Sequence, residues 1–211
     1  MDESTAVSGV VLAGGTSQRF GSDKAAALLA GRPMLEWVAE ALGEVATEIV
    51  VSAAEGQVLP DVTCRVPIRV VTDPVKGQGP LVGMLAGLEA ATNETCLVVS
   101  CDSPLVQPSV LRELARRLAD GQFNAVIPDV GGTMQPLVAA YRRSEVAPVI
   151  RRNLESGNLS VLAAISTLSN VVTMGDAELL AFDPELRSFI GVNTEAEMAR
   201  VYALVQGFER S

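Results

Sequence analysis

From Val10 to Leu28 the chain reads V-V-L-A-G-G-T-S-Q-R-F-G-S-D-K-A-A-A-L, an apolar strand running straight into a glycine-rich turn that carries one arginine and one lysine. Gly14, Gly15 and Gly21 can take backbone conformations closed to other residues and let a ligand approach the main chain. Successive N–H groups in such a turn form a concavity for anions. Arg19 and Lys24 add mobile positive charge for oxygens that the backbone cannot reach. The combination predicts a phosphate-binding loop at the carboxyl end of a first strand, which in open α/β sheets is where ligands bind.

The rest of the chain narrows the chemistry. Its 211 residues suffice for one domain with a sizeable core. With 48% apolar and only 4% aromatic residues, that core is aliphatic. No apolar run approaches the roughly 18 residues of a bilayer span. The acidic opening M-D-E-S-T-A-V-S does not resemble a signal peptide, so the expectation is a cytoplasmic protein with no membrane association. Cys64, Cys96 and Cys101 show no C-x-x-C spacing, which argues against a disulfide framework or structural zinc site. A net charge of −9 argues against nucleic acid as a partner. It also requires any phosphate site to concentrate its cations locally. The chain contains no histidine, which excludes Ser-His-Asp and Cys-His nucleophilic schemes and histidine metal sites. Transfer to an acceptor that is already an anion, such as a phosphate monoester, needs no imidazole base.

Short apolar runs alternate with amphipathic stretches, the pattern of an α/β domain with a mainly parallel sheet. The predicted strands are 8–13, 47–52, 68–72, 96–100, 124–127, 137–141 and 170–174. Pro33, Pro80 and Pro108 suit the first turns of three helices, with Leu35, Val38, Ala39 and Leu42 on one face of the first. Arg112, Glu113, Arg116 and Arg117 read as the solvated face of the third. Further helices are expected at 144–156, 159–167 and from Thr194 to about Val205, with 156–160 and 175–193 as loops. We divide the single domain at about residue 105, with a nucleotide-binding half before it and an acceptor-binding half after it.

Three features fall at predicted strand ends: the opening loop, Asp73 closing I-R-V-V-T-D, and Asp102 after T-C-L-V-V-S-C. A carboxylate one step past a buried strand is placed to hold hydrated Mg²⁺, which takes few protein ligands plus phosphate oxygens. The competing reading of Asp102 is an Asx-turn or cap, and the opening loop tips the balance toward metal. Gly77, Gly79 and Gly83 loosely match a dinucleotide fingerprint, but Pro80 removes an N–H that a pyrophosphate would use. Lys76, in the same loop, is open between a role and none. In F-I-G-V-N-T-E, Thr194 with Glu197 forms a helix-capping box, while Asn193 stays open as a metal ligand. Trp37 reads as packing, Cys101 as a buried filler, and Gln135-Pro136 as hairpin chemistry.

The segments V-L-A-G-G-T-S-Q-R-F-G-S-D-K-A, G-P-L-V-G-M-L-A-G-L, C-D-S-P and N-T-E-A-E-M-A together resemble the molybdenum cofactor guanylyltransferases, part of a wider nucleotidyltransferase superfamily. The likeness spans nearly the whole chain. It implies a three-layer α/β/α fold with a mostly parallel sheet, nucleotide-diphospho-sugar transferase-like and Rossmann-like. It implies transfer of GMP from Mg·GTP to the terminal phosphate of molybdopterin, with cofactor-delivery or acceptor enzymes as further partners. Carried over residue by residue, Leu12, Ala13, Gly14, Gly15, Ser52, Asp73, Gly79 and Pro80 contact the nucleotide. Lys24 holds its phosphates with Arg19, and Asp102 binds Mg²⁺. The sequence departs from the family at Ser52-Ala53-Ala54, where N-A-N is common, at Gly191 and Glu195, and at S-G-N-L-S on the pterin side. The competing functions are a cytidylyl or other small-molecule-phosphate nucleotidyltransferase, a catalytically silent GTP-binding partner protein, and a dinucleotide oxidoreductase.

Overall fold

The computed structural model describes residues 6–14, 24–73 and 79–208. Its frame is one twisted sheet in the order β10-β7-β9-β6-β1-β4-β5, with β8 attached to β7. The strands are β1 (Val7–Leu12), β4 (Glu48–Ala54), β5 (Ile68–Asp73), β6 (Thr95–Ser100), β7 (Ala125–Val130), β8 (Thr133–Met134), β9 (Val138–Arg142) and β10 (Val171–Gly175). A small hairpin, β2 (Leu28–Leu29) with β3 (Arg32–Pro33), stands apart. The helices are α1 (Met34–Gly43), α2 (Pro80–Ala90), α3 (Pro108–Asp120), α4 (Arg143–Glu155), α5 (Val161–Ser166), α6 (Asp176–Leu179) and α7 (Glu195–Phe208).

Period-2 alternation within the strands builds the layers. Val11, Leu97, Val99, Val126 and Ala140 face α1 and α3, where Leu35, Val38, Val110, Leu111 and Leu114 cover them. Their neighbours Val10, Leu12, Val98, Ile127 and Tyr141 face α2, α4 and α5. Because both faces are covered, the central strands are apolar along their length. Gly87 lets α2 lie directly on β1, since a Cβ there would come within 2.3 Å of Val10 Cγ1. A third, smaller cluster packs the hairpin against α7 through Leu29, Met34, Leu105, Val192 and Val201. Trp37 seals its edge as packing: Nε1 donates to Leu29 O at 3.0 Å, and Arg32 sits over the ring at 4.6 Å.

The three-layer α/β/α expectation holds, and the sheet is mostly parallel with an inserted exception. β5, β4, β1 and β6 run parallel, as do β7 and β10, but β9 lies antiparallel between β6 and β7. Pattern reading cannot assign that direction. Here β9 follows β7 through the short β8 hairpin, a connection too short for a parallel crossover. Other corrections are local. Pro33 caps α1 from β3 and stays outside the first turn. The 175–193 stretch holds α6 and a 3-10 turn, Arg187–Phe189, both too short to leave a periodic signal. Glu113 is no solvated residue: it is buried, and Arg116 and then Arg117 clasp it and hold its carboxyl down at about 2. No helix among the described residues is long and apolar enough to cross a membrane.

Candidate functional site

Between β1 and β6 the chain connectivity reverses. One branch runs outward through β4 and β5, and the other returns to β6, leaving a crevice at the carboxyl ends of β1 and β6. Asp102 enters it one residue beyond the buried Cys101, whose N–H donates to Leu12 O at 3.1 Å. Opposite stands Lys24, on a turn whose neighbour Ala25 accepts the Leu35 N–H at 3.3 Å and so ties the turn to α1. Lys24 Nζ donates to Asp102 Oδ2 at 3.2 Å and to Asn193 Oδ1 at 2.6 Å. Three residues separated by 78 and 169 positions thus meet at one ammonium group. The pair is sheltered, with side chains only 14% and 24% exposed.

The segment that delivers Asn193 is fixed twice. Val192 N–H donates to Asp102 O at 2.8 Å, so the two candidate side chains share a backbone link. The cap of α7 then holds the next residues, with Glu197 N–H donating to Thr194 Oγ1 at 3.2 Å. The Glu197 carboxylate closes the box one residue earlier than the usual pattern, accepting the Asn193 N–H at 2.7 Å. That backbone donor, with Thr194 behind it, keeps the Glu197 carboxyl below its ordinary range.

The end of β1 carries a finding that modifies the cradle. The N–H groups of Ala13 and Gly14 both donate to Ser52 O, at 2.9 and 3.1 Å. They belong to the sheet and are not available to a phosphate. Leu12, Ala13 and Gly14 therefore present a fixed backbone surface. A Cβ on Gly14 would lie 3.3 Å from Ala54 N, so a side chain there would crowd β4. Ser52 engages through its carbonyl. The residue is 1% exposed, and its hydroxyl has no hydrogen-bond partner among the described residues and lies 3.1 Å from where a Gly83 Cβ would sit.

Other expected residues fall at the same edge of the sheet. Asp73 ends β5 opposite Ala54. Gly79, at φ +80°, caps α2, and Pro80 opens it. Gly15, Arg19, Gly21, Lys76 and Gly77 lie outside the described residues. Gln135-Pro136 follows the β7–β8 hairpin, where Gln135 N–H donates to Pro128 O at 2.8 Å. The sequence reading missed Gln57, whose side chain joins Ala13 to Ala54. A lone glutamine after a turn leaves no pattern to find.

The donor set suits magnesium. Asp102 and Asn193 direct hard oxygen atoms at one cation, and Mg²⁺ needs only one or two such ligands when phosphate oxygens and water complete its shell. No group of three or more His, Cys, Asp or Glu that could cage a metal occurs among the described residues.

Known proteins share this fold. The 2-C-methyl-D-erythritol 4-phosphate cytidylyltransferase of Thermus thermophilus superposes with a TM-score of 0.72 at 16% identity, covering 95% of this chain and 99% of that one. The fold is therefore that of the nucleotidyltransferases built on the nucleotide-diphospho-sugar transferase architecture. The molybdopterin-guanine dinucleotide biosynthesis protein A of Archaeoglobus fulgidus superposes with a TM-score of 0.77 at 27% identity, covering 95% and 99% of the two chains. Residues 9–171 match the model of the MobA-like NTP transferase domain. A probable molybdenum cofactor guanylyltransferase from Chloroflexus aggregans is 34% identical over 203 residues, covering 93% of this chain and 94% of the relative. A molybdenum cofactor guanylyltransferase from Desulfosudis oleivorans is 33% identical over 209 residues, covering 95% and 96%. The chain belongs to the molybdenum cofactor guanylyltransferase family and carries its MobA-like NTP transferase domain.

Proposed function

We propose that this protein is a cytoplasmic enzyme that transfers GMP from Mg·GTP to the terminal phosphate of molybdopterin, releasing pyrophosphate. The observation that carries the reading is the meeting of Lys24, Asp102 and Asn193 in the crevice between β1 and β6. The reaction is a direct in-line displacement at the α-phosphorus. An oxygen of the acceptor phosphate forms the new bond to phosphorus as the bond to the bridging α–β oxygen breaks, and the electron pair leaves with pyrophosphate. The attacking oxygen is already anionic, so no general base is needed, in keeping with a chain free of histidine.

Two anions must be brought together, so positioning and charge neutralisation carry the catalysis. Lys24 sits where it can pass from its two protein acceptors to triphosphate oxygens. Arg19 supplies a second cation from the loop. Leu12, Ala13 and Gly14 align the nucleotide against a backbone that is already hydrogen-bonded, with Gly15, Ser52, Asp73, Gly79 and Pro80 around it. Asp102, with Asn193 beside it, would hold Mg²⁺, which supplies charge neutralisation to the leaving pyrophosphate when bound. We assign the donor to the half before about residue 105 and the acceptor to the half after it.

The test is pyrophosphate release by the purified protein given Mg·GTP and molybdopterin together, with the guanylylated pterin identified by mass. Release that requires both substrates is expected. Release with CTP in place of GTP would identify a cytidylyltransferase, and GTP binding without release would identify a silent binding protein.

A further inference from the structure

The β1–β4 ladder ends on a substitution. Leu12 faces Ser52 in register, and Ala13 N–H donates to Ser52 O at 2.9 Å. In a parallel ladder the next rung would run from Ala54 N–H to Ala13 O. That rung is made through a side chain. Ala54 N–H donates to Gln57 Oε1 at 2.8 Å, and Gln57 Nε2 donates to Ala13 O at 3.0 Å. The carboxamide stands between the strands as an inserted peptide group would, parting them where β1 enters the glycine-rich loop. The turn that returns Gln57 to this place is closed by its own N–H donating to Ala54 O at 3.0 Å, with Gly56 at φ +73° in its third position.

A carboxamide can both accept from one strand and donate to the other within one rigid plane. A carboxylate at this position keeps the first bond and sets an acceptor against the Ala13 carbonyl. An apolar side chain of the same length leaves both backbone groups unpaired. The Ala13 and Gly14 amides are bound to Ser52 and the Ala13 carbonyl to Gln57, so three hydrogen bonds fix this stretch of backbone against β4 and the turn that follows it.

We propose that Gln57 is a positioning residue for the nucleotide. It touches no substrate; it acts through Ala13 and Gly14 by setting the spacing of β1 and β4 at the mouth of the site. The proposal rests on the reading of the site as a GTP site. It goes beyond that reading in locating part of the donor affinity in a residue outside the glycine-rich loop.

The test compares wild type with Gln57→Glu, Gln57→Met and Gln57→Asn, each checked for folding by circular dichroism and melting temperature. Mg·GTP is titrated calorimetrically at 25 °C, and kcat and KM are measured in parallel. Gln57→Glu and Gln57→Met should weaken Mg·GTP binding by about tenfold, the scale of one lost hydrogen bond. KM for GTP should rise in step while kcat stays within about threefold, because the loss falls equally on ground and transition states. Gln57→Asn, the mildest change, decides the matter if the other two do not fold; its shorter amide cannot span the gap, and weaker binding is again expected. Variants that melt earlier but bind Mg·GTP as wild type does would reduce Gln57 to a structural staple and overturn the proposal alone. A wild-type protein that binds no Mg·GTP would overturn the donor assignment and the positioning role with it.

Discussion

The two ends of β1 carry two polar clusters built on opposite terms. At the amino end, Glu48 Oε1 accepts from Ser8 Oγ, Thr92 N–H and Thr92 Oγ1, each at 2.7 Å, and Oε2 accepts from Arg69 at 2.8 Å. Asn93 completes the knot, donating through its backbone and its amide to Ser8 Oγ and through Nδ2 to Thr47 Oγ1. At the carboxyl end, one lysine is shared between a carboxylate and an amide. Among the described residues, the first cluster meets one carboxylate with four donors, whereas the second sets one lysine between two acceptors. A network whose donors and acceptors are all spent on the protein rigidifies the fold. One held in place with capacity to spare is what a ligand can take over.

If that division is right, substitutions at the two ends should separate turnover from stability. The largest effect belongs to Lys24→Ala and Asp102→Ala, each expected to lower turnover by about a hundredfold or more, as loss of a preorganised charge-stabilising group does. Their melting temperatures should barely move, because a partly exposed ion pair contributes at most about 1 kcal/mol. Near-normal pyrophosphate release from either folded variant would break the comparison at its functional end.

Glu48→Ala should show the converse. Stripping four hydrogen bonds from a charged acceptor should cost about 2 kcal/mol in urea denaturation, with kcat and KM within about twofold of wild type. A catalytic loss larger than its stability loss would mean that the knot also serves the site.

Acid sharpens the same contrast. Burial works against ionisation of Glu48, but the donors from Thr92, Ser8 and Arg69 prevail and hold it at about 2, against an ordinary 4.5. Between those values the unfolded chain binds a proton that the folded protein refuses, so stability falls as pH falls. The contribution is complete above about pH 4.5 and gone below about pH 2. Glu48→Gln should therefore lose less stability than wild type across that window in acid denaturation. Glu113, also held at about 2, should keep part of the slope in both proteins. An unchanged slope in Glu48→Gln would show that the knot is not what acid breaks.

The smallest effect is expected at Ser52→Ala. Its hydroxyl is buried without a partner among the described residues, so its removal should change stability by less than about 0.5 kcal/mol. KM for GTP should shift by less than about twofold. A tenfold rise would place that hydroxyl on the nucleotide and revise the surface assigned to β4.

Much of the architecture was legible from local pattern. The apolar runs at 8–13, 47–52, 68–72 and 96–100 became β1, β4, β5 and β6 to within a residue or two, and Pro80 and Pro108 opened α2 and α3. Thr194 capped α7 as its spacing with Glu197 indicated. Lys24 and Asp102 could be singled out because each sits just past a recognisable element, in a turn or at a strand end. The direction of β9 and the burial of Glu113 could not be read. The first depends on which strand a hairpin docks against, and the second on which face of α3 meets the core.

Short-range regularities are written in the chain itself, because helix and strand periods, turn glycines and capping pairs act over a handful of residues. They determined the layers and the loop that opens the site, while composition excluded a histidine base. The convergence of residues 24, 102 and 193 on one ammonium, and the wedge of Gln57 between β1 and β4, were decided by tertiary structure alone. Contacts between distant residues follow from the order in which strands pair, and strand order is settled only when the whole core packs.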